Sequence, residues 1–233
     1  VLDQLKAMDA YDDTVVLFMS DNGASAEQMI RGDMHDPQAA PGSAASYLCL
    51  GPGWSTASNT PFRLHKHWTH EGGISSPLIV HWPAGLKTKP GSITHQPAHL
   101  IDVMPTLVEL AGAAYPRKIQ QRPIEPLQGL SLVPILHGKT RKPHEWLYFQ
   151  FSTDRAIRQG DWKLASVKGA RWELYNLAED RTELNDLADQ QPERVKQLAA
   201  LWHHVAEHVD RAPAKLRRPV ADRPPRPRFK RAR

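Results

Sequence analysis

The chain has 233 residues, 40% of them apolar and 24% charged, a globular composition long enough for one full core or for a large piece plus a small second domain. No stretch approaches the roughly 20 apolar residues of a membrane-spanning helix, and the single cysteine, Cys49, excludes an internal disulfide and any cysteine-rich metal site. The net charge of +5 averages two unlike parts: residues 211–233 hold ten Lys or Arg against one acid, Asp222, so the rest carries −4 and has no general attraction for nucleic acid.

Val1 to Met8 places apolar residues at 2, 5 and 8, one helical face. Helical spacing from the first residue, without an initiator Met or signal-like stretch, is what a fragment would show, and it assigns no compartment. Thr14 to Ser20 encloses five apolar residues in a row and reads as a strand buried on both faces, which together with the preceding helix suggests an α/β layer. Residues 23–60 lack periodicity and are rich in Gly, Ala, Ser and Pro; a loop of that length is usually functional or mobile, and Trp54 is a candidate aromatic wall within it. Leu78 to Trp82 is a second buried-looking strand between Pro77 and Pro83.

His99 to Ala113 predicts a helix with Leu100, Val103, Met104, Leu107, Leu110 and Ala111 on one face, Asp102 as N-cap and Pro105 in the first turn. Ser131 to Leu136 predicts a short helix. Trp146–Phe151, Ala156–Arg158, Trp162–Ala165 and Trp172–Tyr175 then read as an antiparallel meander, with turns at Gln159-Gly160-Asp161 and Lys168-Gly169-Ala170. A helix over 192–209 follows, with Val195, Leu198, Trp202, Val205 and Val209 in one stripe. The last 23 residues, with five Pro and ten bases, read as disordered.

Two segments carry chemistry. Asp21 and Asn22 put a carboxylate and an amide oxygen side by side at the carboxyl end of a strand, where ligands bind in open α/β sheets. Two hard oxygens suit Ca²⁺ or Mg²⁺; the same Asp-Asn-Gly also suits a plain turn. Between Arg63 and His70 the chain packs an Arg, Lys66 and three His into eight positions before the pair Gly72-Gly73. Lys66 beside a metal could neutralise a sulfate or phosphate oxygen, whereas a charge cluster alone also fits a solvated loop.

Taken together, the segments resemble a family. Val15 to Gly23 is similar to the metal-binding strand end of type I sulfatases. Asn59 to Lys66, Glu71-Gly72-Gly73-Ile74 and Pro77 to Val80 look like their substrate-lysine segment. Asp102 to Leu107 with Leu110-Ala111-Gly112, then Gly129 to Leu132 with Ile135 to Gly138, match the next blocks in order. Ala156-Ile157-Arg158, Asp161 to Leu164, Glu173 to Leu177 and Glu183 to Leu187 resemble the C-terminal subdomain, so the likeness covers about residues 1–209.

The resemblance implies an arylsulfatase-like sulfuric ester hydrolase of the alkaline phosphatase superfamily. The expected fold is α/β. Residues 1–140 form the C-terminal part of an alkaline-phosphatase-like sandwich, 141–210 a small α+β subdomain of antiparallel sheet plus C-terminal helix, and 211–233 a disordered basic tail. Asp21 and Asn22 map onto two of four metal ligands, with Ca²⁺ expected and Mg²⁺ the alternative, and Lys66 maps onto the sulfate-contacting lysine. His70, with His65 and His67, is a candidate substrate-side contact outside the family pattern. Family members carry a formylglycine made from Cys or Ser in a Cys-x-Pro-Ser-Arg context. Leu48-Cys49-Leu50 does not match it, so the formylglycine is expected upstream of residue 1. The chain is then expected to be about the C-terminal half of a sulfatase and inactive alone. The partner is a small-molecule or carbohydrate sulfate ester, with no membrane and no nucleic acid. Two alternatives stand: a phosphodiesterase or phosphonate monoester hydrolase relative, against which Asn22 argues because such enzymes tend to have His there, and a non-catalytic fragment whose basic tail binds polyanions.

Overall fold

The computed structural model describes residues 1–28 and 35–209. The basic tail, with its expected disorder and polyanion binding, and residues 29–34 of the long loop lie outside the described residues. No helix among the described residues is long and apolar enough to cross a membrane.

Helix α1 (Leu2–Ala7) leads to β1 (Val16–Met19), which pairs antiparallel with β2 (Leu78–His81) and places Phe18 opposite Ile79. The sequence predicted the first strand to be buried on both faces and the second to be buried; instead Phe18 is 69% exposed and Ile79 59%. Among the described residues the two strands make a sheet of their own. Phe18 and Ile79 are register partners, so they share one face, and that face stays open.

The supposed loop before β2 contains a helix, α2 (Gly51–Asn59), that periodicity does not announce. Two glycines, a proline and three hydroxyl residues have weak helix propensity. Pro52 is tolerated because it sits in the first turn. Hydroxyls bond back to carbonyls of the preceding turn, as with Thr56 Oγ1 to Pro52 O at 2.8 Å and Ser58 Oγ to Trp54 O at 2.8 Å. A single short turn, α3 (Glu71–Ile74), precedes β2.

The helix predicted from His99 begins as a 3₁₀ turn (Leu100–Asp102) and continues as α4 (Val103–Leu110). Asp102 does not cap α4 with its side chain; it accepts from His99 N at 2.9 Å and closes a capping box around the 3₁₀ turn. Its other oxygen accepts from Leu130 N at 2.8 Å, and the Arg141 guanidinium and His144 imidazole both approach to 2.8 Å. One carboxylate therefore ties residues 99, 130, 141 and 144. The expected apolar face of α4 is not its buried face: Leu100 and Met104 are exposed while Thr106 is buried, donating to Asp102 O and accepting from Leu132 N. Polar side chains take the interior because each has a partner there.

A small hairpin, β3 (Lys118–Ile119) and β4 (Arg122–Pro123), and helix α5 (Val133–Leu136) follow. The C-terminal part is the predicted meander: β5 (Leu147–Phe151), β6 (Asp154–Gln159), β7 (Trp162–Ser166) and β8 (Glu173–Asn176), all antiparallel in chain order. Gly160 and Gly169 take positive φ at its turns. Helix α6 (Pro192–Val209) lays Leu198, Trp202, Val205 and Ala206 over Ile157, Leu164 and Leu174, forming the main core. Full burial of each large side chain there contributes about 1.5–3 kcal/mol.

Candidate active site

The turn after β1 and the segment 61–73 are laced together through their backbones. Gly23 N donates to Gly73 O at 3.0 Å, and Lys66 N donates to Ala24 O at 3.1 Å. Asn59, at the end of α2, binds both sides: its Oδ1 accepts from Ala24 N at 2.9 Å and its Nδ2 donates to Leu64 O at 3.1 Å. The glycines make this approach feasible. A Cβ on Gly23 would lie 1.8 Å from Gly72 O, and one on Gly72 would lie 2.2 Å from Leu64 O. Asp21 and Asn22 thus lie within three residues of a backbone bond to Lys66 itself.

Asp21 is exposed and Asn22 half-buried. Their donor types fit a hard divalent cation, but two residues fall short of the six to eight oxygens calcium takes. Among the described residues no group of three or more His, Cys, Asp or Glu gathers as a metal site.

Lys66 is partly exposed, and its ammonium lies 3.7 Å from Glu27 Oε1, which is also 3.7 Å from His67 Nε2. The backbone around it is unusual: Leu64 has φ +65° and His67 φ +84°. Non-glycine residues in the left-handed region cost about 1–3 kcal/mol each and persist only where the surroundings impose them. Here the imposing contacts include Gly72 N to Arg63 O at 2.9 Å and Trp68 N to His65 O at 3.1 Å.

The three histidines are placed differently. His67 is exposed and stacks on Phe151 with ring centroids 4.9 Å apart. His65 lies 3.3 Å from the hydroxyl of buried Ser55, and burial followed by the His67 charge lowers its pKa below 6.5. His70 is fully buried, with Nε2 at 2.9 Å from Glu173 Oε2. Trp54 is 72% exposed on α2.

Behind the loop lies a charge network that sequence reasoning missed. Lys163, wholly buried in β7, has its ammonium 2.8 Å from Glu71 Oε1 and 2.7 Å from Glu183 Oε1. The other Glu183 oxygen accepts from Glu71 N at 2.7 Å. Burial alone would raise the Glu71 carboxyl, but the Lys163 ammonium outweighs it and holds the group below 4.5. Glu173 accepts from Tyr175 at 2.6 Å and is likewise lowered, the Tyr175 and His70 hydrogen bonds outweighing burial. Burial and then the Glu173 contact push the Tyr175 phenol up. Only the alternation in β7 hinted at this, since it turns Lys163 to the same face as Ala165.

Comparison with known proteins shows the family. The sulfatase family model matches residues 1–113, and the model for the C-terminal part of N-sulphoglucosamine sulphohydrolase matches residues 62–211. The chain belongs to the sulfatase family. It is similar to an uncharacterized sulfatase of Schizosaccharomyces pombe, 32% identical over 180 residues, a match covering 72% of this chain and 32% of the relative. Human arylsulfatase A is 31% identical over 147 residues, covering 63% of this chain and 22% of the relative. The solved protein Ps i-CgsB, one of whose crystal structures is a complex with k-i-k-neocarrahexaose, superposes with a TM-score of 0.63 at 23% identity, covering 88% of this chain and 39% of that one. At that identity the likeness carries the fold, which is the alkaline-phosphatase-like α/β fold of sulfatases. The matches span about a third or less of these curated relatives' length.

Proposed function

We propose that this chain supplies the sulfate-contacting part of a sulfuric ester hydrolase and part of its divalent-metal site. Asp21 offers an anionic oxygen and Asn22 a neutral amide oxygen to a calcium ion, or magnesium in its place, and the neutral amide leaves charge for an anionic ester. Such a cation, when bound, supplies Lewis-acid charge at the ester. Lys66 places its ammonium against a non-bridging sulfate oxygen or the leaving oxygen, where negative charge grows as the S–O bond breaks. Glu27 holds that ammonium in the absence of an anion and gives way to the sulfate. Cys49 takes no part, and the formylglycine of the family is assigned to none of these residues. His70, being buried, acts behind the loop.

The observation that supports this reading is the pair of backbone bonds, Gly23 to Gly73 and Lys66 to Ala24, which joins the turn after Asp21 and Asn22 to the backbone of the Lys66 segment. The test is a titration of the ¹⁵N-labelled chain with inorganic sulfate in the presence of calcium. Amide shifts at Lys66 and Gly23 that vanish in Lys66→Ala, and that lose their calcium dependence in Asp21→Ala, are the expected result. A stronger response to phosphate would favour a phosphoryl-transfer relative, and no response at Lys66 would sink the assignment.

A further inference from the structure

The charge network behind the Lys66 loop grips both ends of that loop. We propose that Lys163 and Glu183 are positioning residues for Lys66: a buried charge clamp that holds the strained 63–73 loop against the Ser20–Ala24 turn. Its purpose rests on the sulfate-contacting reading of Lys66; its geometry does not.

At the loop's far end, Glu71 is held twice, by Lys163 through its carboxylate and by Glu183 through its backbone N–H. His70, the residue before it, is held by Glu173. Two residues on, Gly73 O receives the bond from Gly23 N. At the near end, Arg63 Nη1 donates to Tyr175 Oη at 2.8 Å and to Glu183 O at 3.1 Å. Between these anchors Leu64 and His67 keep their positive φ, and Lys66 projects from the middle. Glu183 is itself at φ +58° and fully buried, so its own placement is imposed by the contacts it makes.

A buried ion pair is a poor source of net stability, because desolvation offsets most of the attraction. What it supplies is a fixed geometry, since one wholly buried ammonium is shared between two carboxylates from different segments. A strained loop needs that kind of fixing, and apolar packing, which tolerates sliding, would not give it. The C-terminal sheet thus sets the position of a residue more than ninety positions earlier in the chain.

Amide hydrogen exchange on the ¹⁵N-labelled chain tests this without any ligand. The reporters are the Lys66 and Gly23 amides. In Lys163→Met both should exchange at least about tenfold faster, with α6 amides such as Val205 unchanged. Lys163→Arg, which keeps the charge, should restore part of the protection. Should Lys163→Met fail to fold, Glu183→Gln replaces it, since the side-chain amide oxygen can still accept from Glu71 N while the charge is gone. Wild-type protection of Lys66 and Gly23 in the folded variant would overturn the clamp, as would loosening spread equally over α6. A sulfate titration of the same variants forms a second arm. If wild-type chain ignores sulfate, the reading of Lys66 fails while the exchange result still decides the clamp.

Discussion

Replacing Lys163 by Met removes the one ammonium shared by Glu71 and Glu183 and leaves two carboxylates in a site where these residues are 5% and 0% exposed. Breaking a buried pair in this way costs about 3–5 kcal/mol. For a chain of this size each kcal/mol lowers Tm by about 2–4 °C, so a fall of roughly 10 °C is expected. The loss should also depend on pH. In the wild type the Glu71 carboxyl is held below 4.5, so its contribution is present above its unfolded pKa and is lost as pH falls through the folded value. In the variant the largest influence opposing burial is gone, leaving Arg158 and the Ser75 hydrogen bond, so the folded pKa rises and the penalty shrinks as the group takes up a proton. Melting curves followed by circular dichroism at about pH 7.5 and about pH 5 should therefore show the wider gap at the higher pH. A gap of under 2 °C, or one of equal size at both pH values, would refute this account.

Gly23→Ala should destabilise by about 1–3 kcal/mol and weaken the sulfate response, because its Cβ would meet Gly72 O at 1.8 Å; an unchanged Tm and titration would show that the two segments are not in contact. Asp102→Asn should cost about 3–5 kcal/mol, since it leaves the buried Arg141 guanidinium unpaired, and urea unfolding reads the change in midpoint at constant slope. Burial would raise the Asp102 carboxyl, but hydrogen bonds from Arg141 and His144 outweigh it and hold the group below 3.8. The stability it contributes is thus present above the unfolded pKa and lost as pH falls through the lower folded value, and acid unfolding that set in well above pH 3.8 and vanished in Asp102→Asn would contradict that order. Arg171→Ala serves as the contrast: its ion pairs to Asp186 and Asp189 sit on a guanidinium 64% exposed, so a loss of about 0–1 kcal/mol is expected in the same denaturant series.

Much of the fold was legible because its signals are local. Helix α6 runs over the predicted 192–209 span and buries Leu198, Trp202 and Val205 of its apolar stripe, though Val209 is exposed, and the four strands of the meander fall between the predicted turns. Such elements are fixed by the period of burial against a single neighbouring layer. Helix α2 was illegible because its hydroxyls and its tertiary bonds through Asn59 compensate for weak propensity, and neither shows as a period. The exposed face of α4 reads as core in sequence, since an apolar stripe states that a residue can be buried and not what buries it.

By itself the sequence determined the residue chemistry of the candidate site: two adjacent oxygen donors, one lysine, and glycines small enough for backbones to meet. Only the tertiary structure decided that the two segments meet through their backbones, that His70 is inside and not at the surface, and that Lys163, Glu173 and Glu183 stand behind the loop. The physical reason is that a lysine's burial depends on carboxylates brought from distant segments. Charge pairing across a hundred residues leaves no periodic trace in the chain, while the hydrophobic period that builds each strand and helix does.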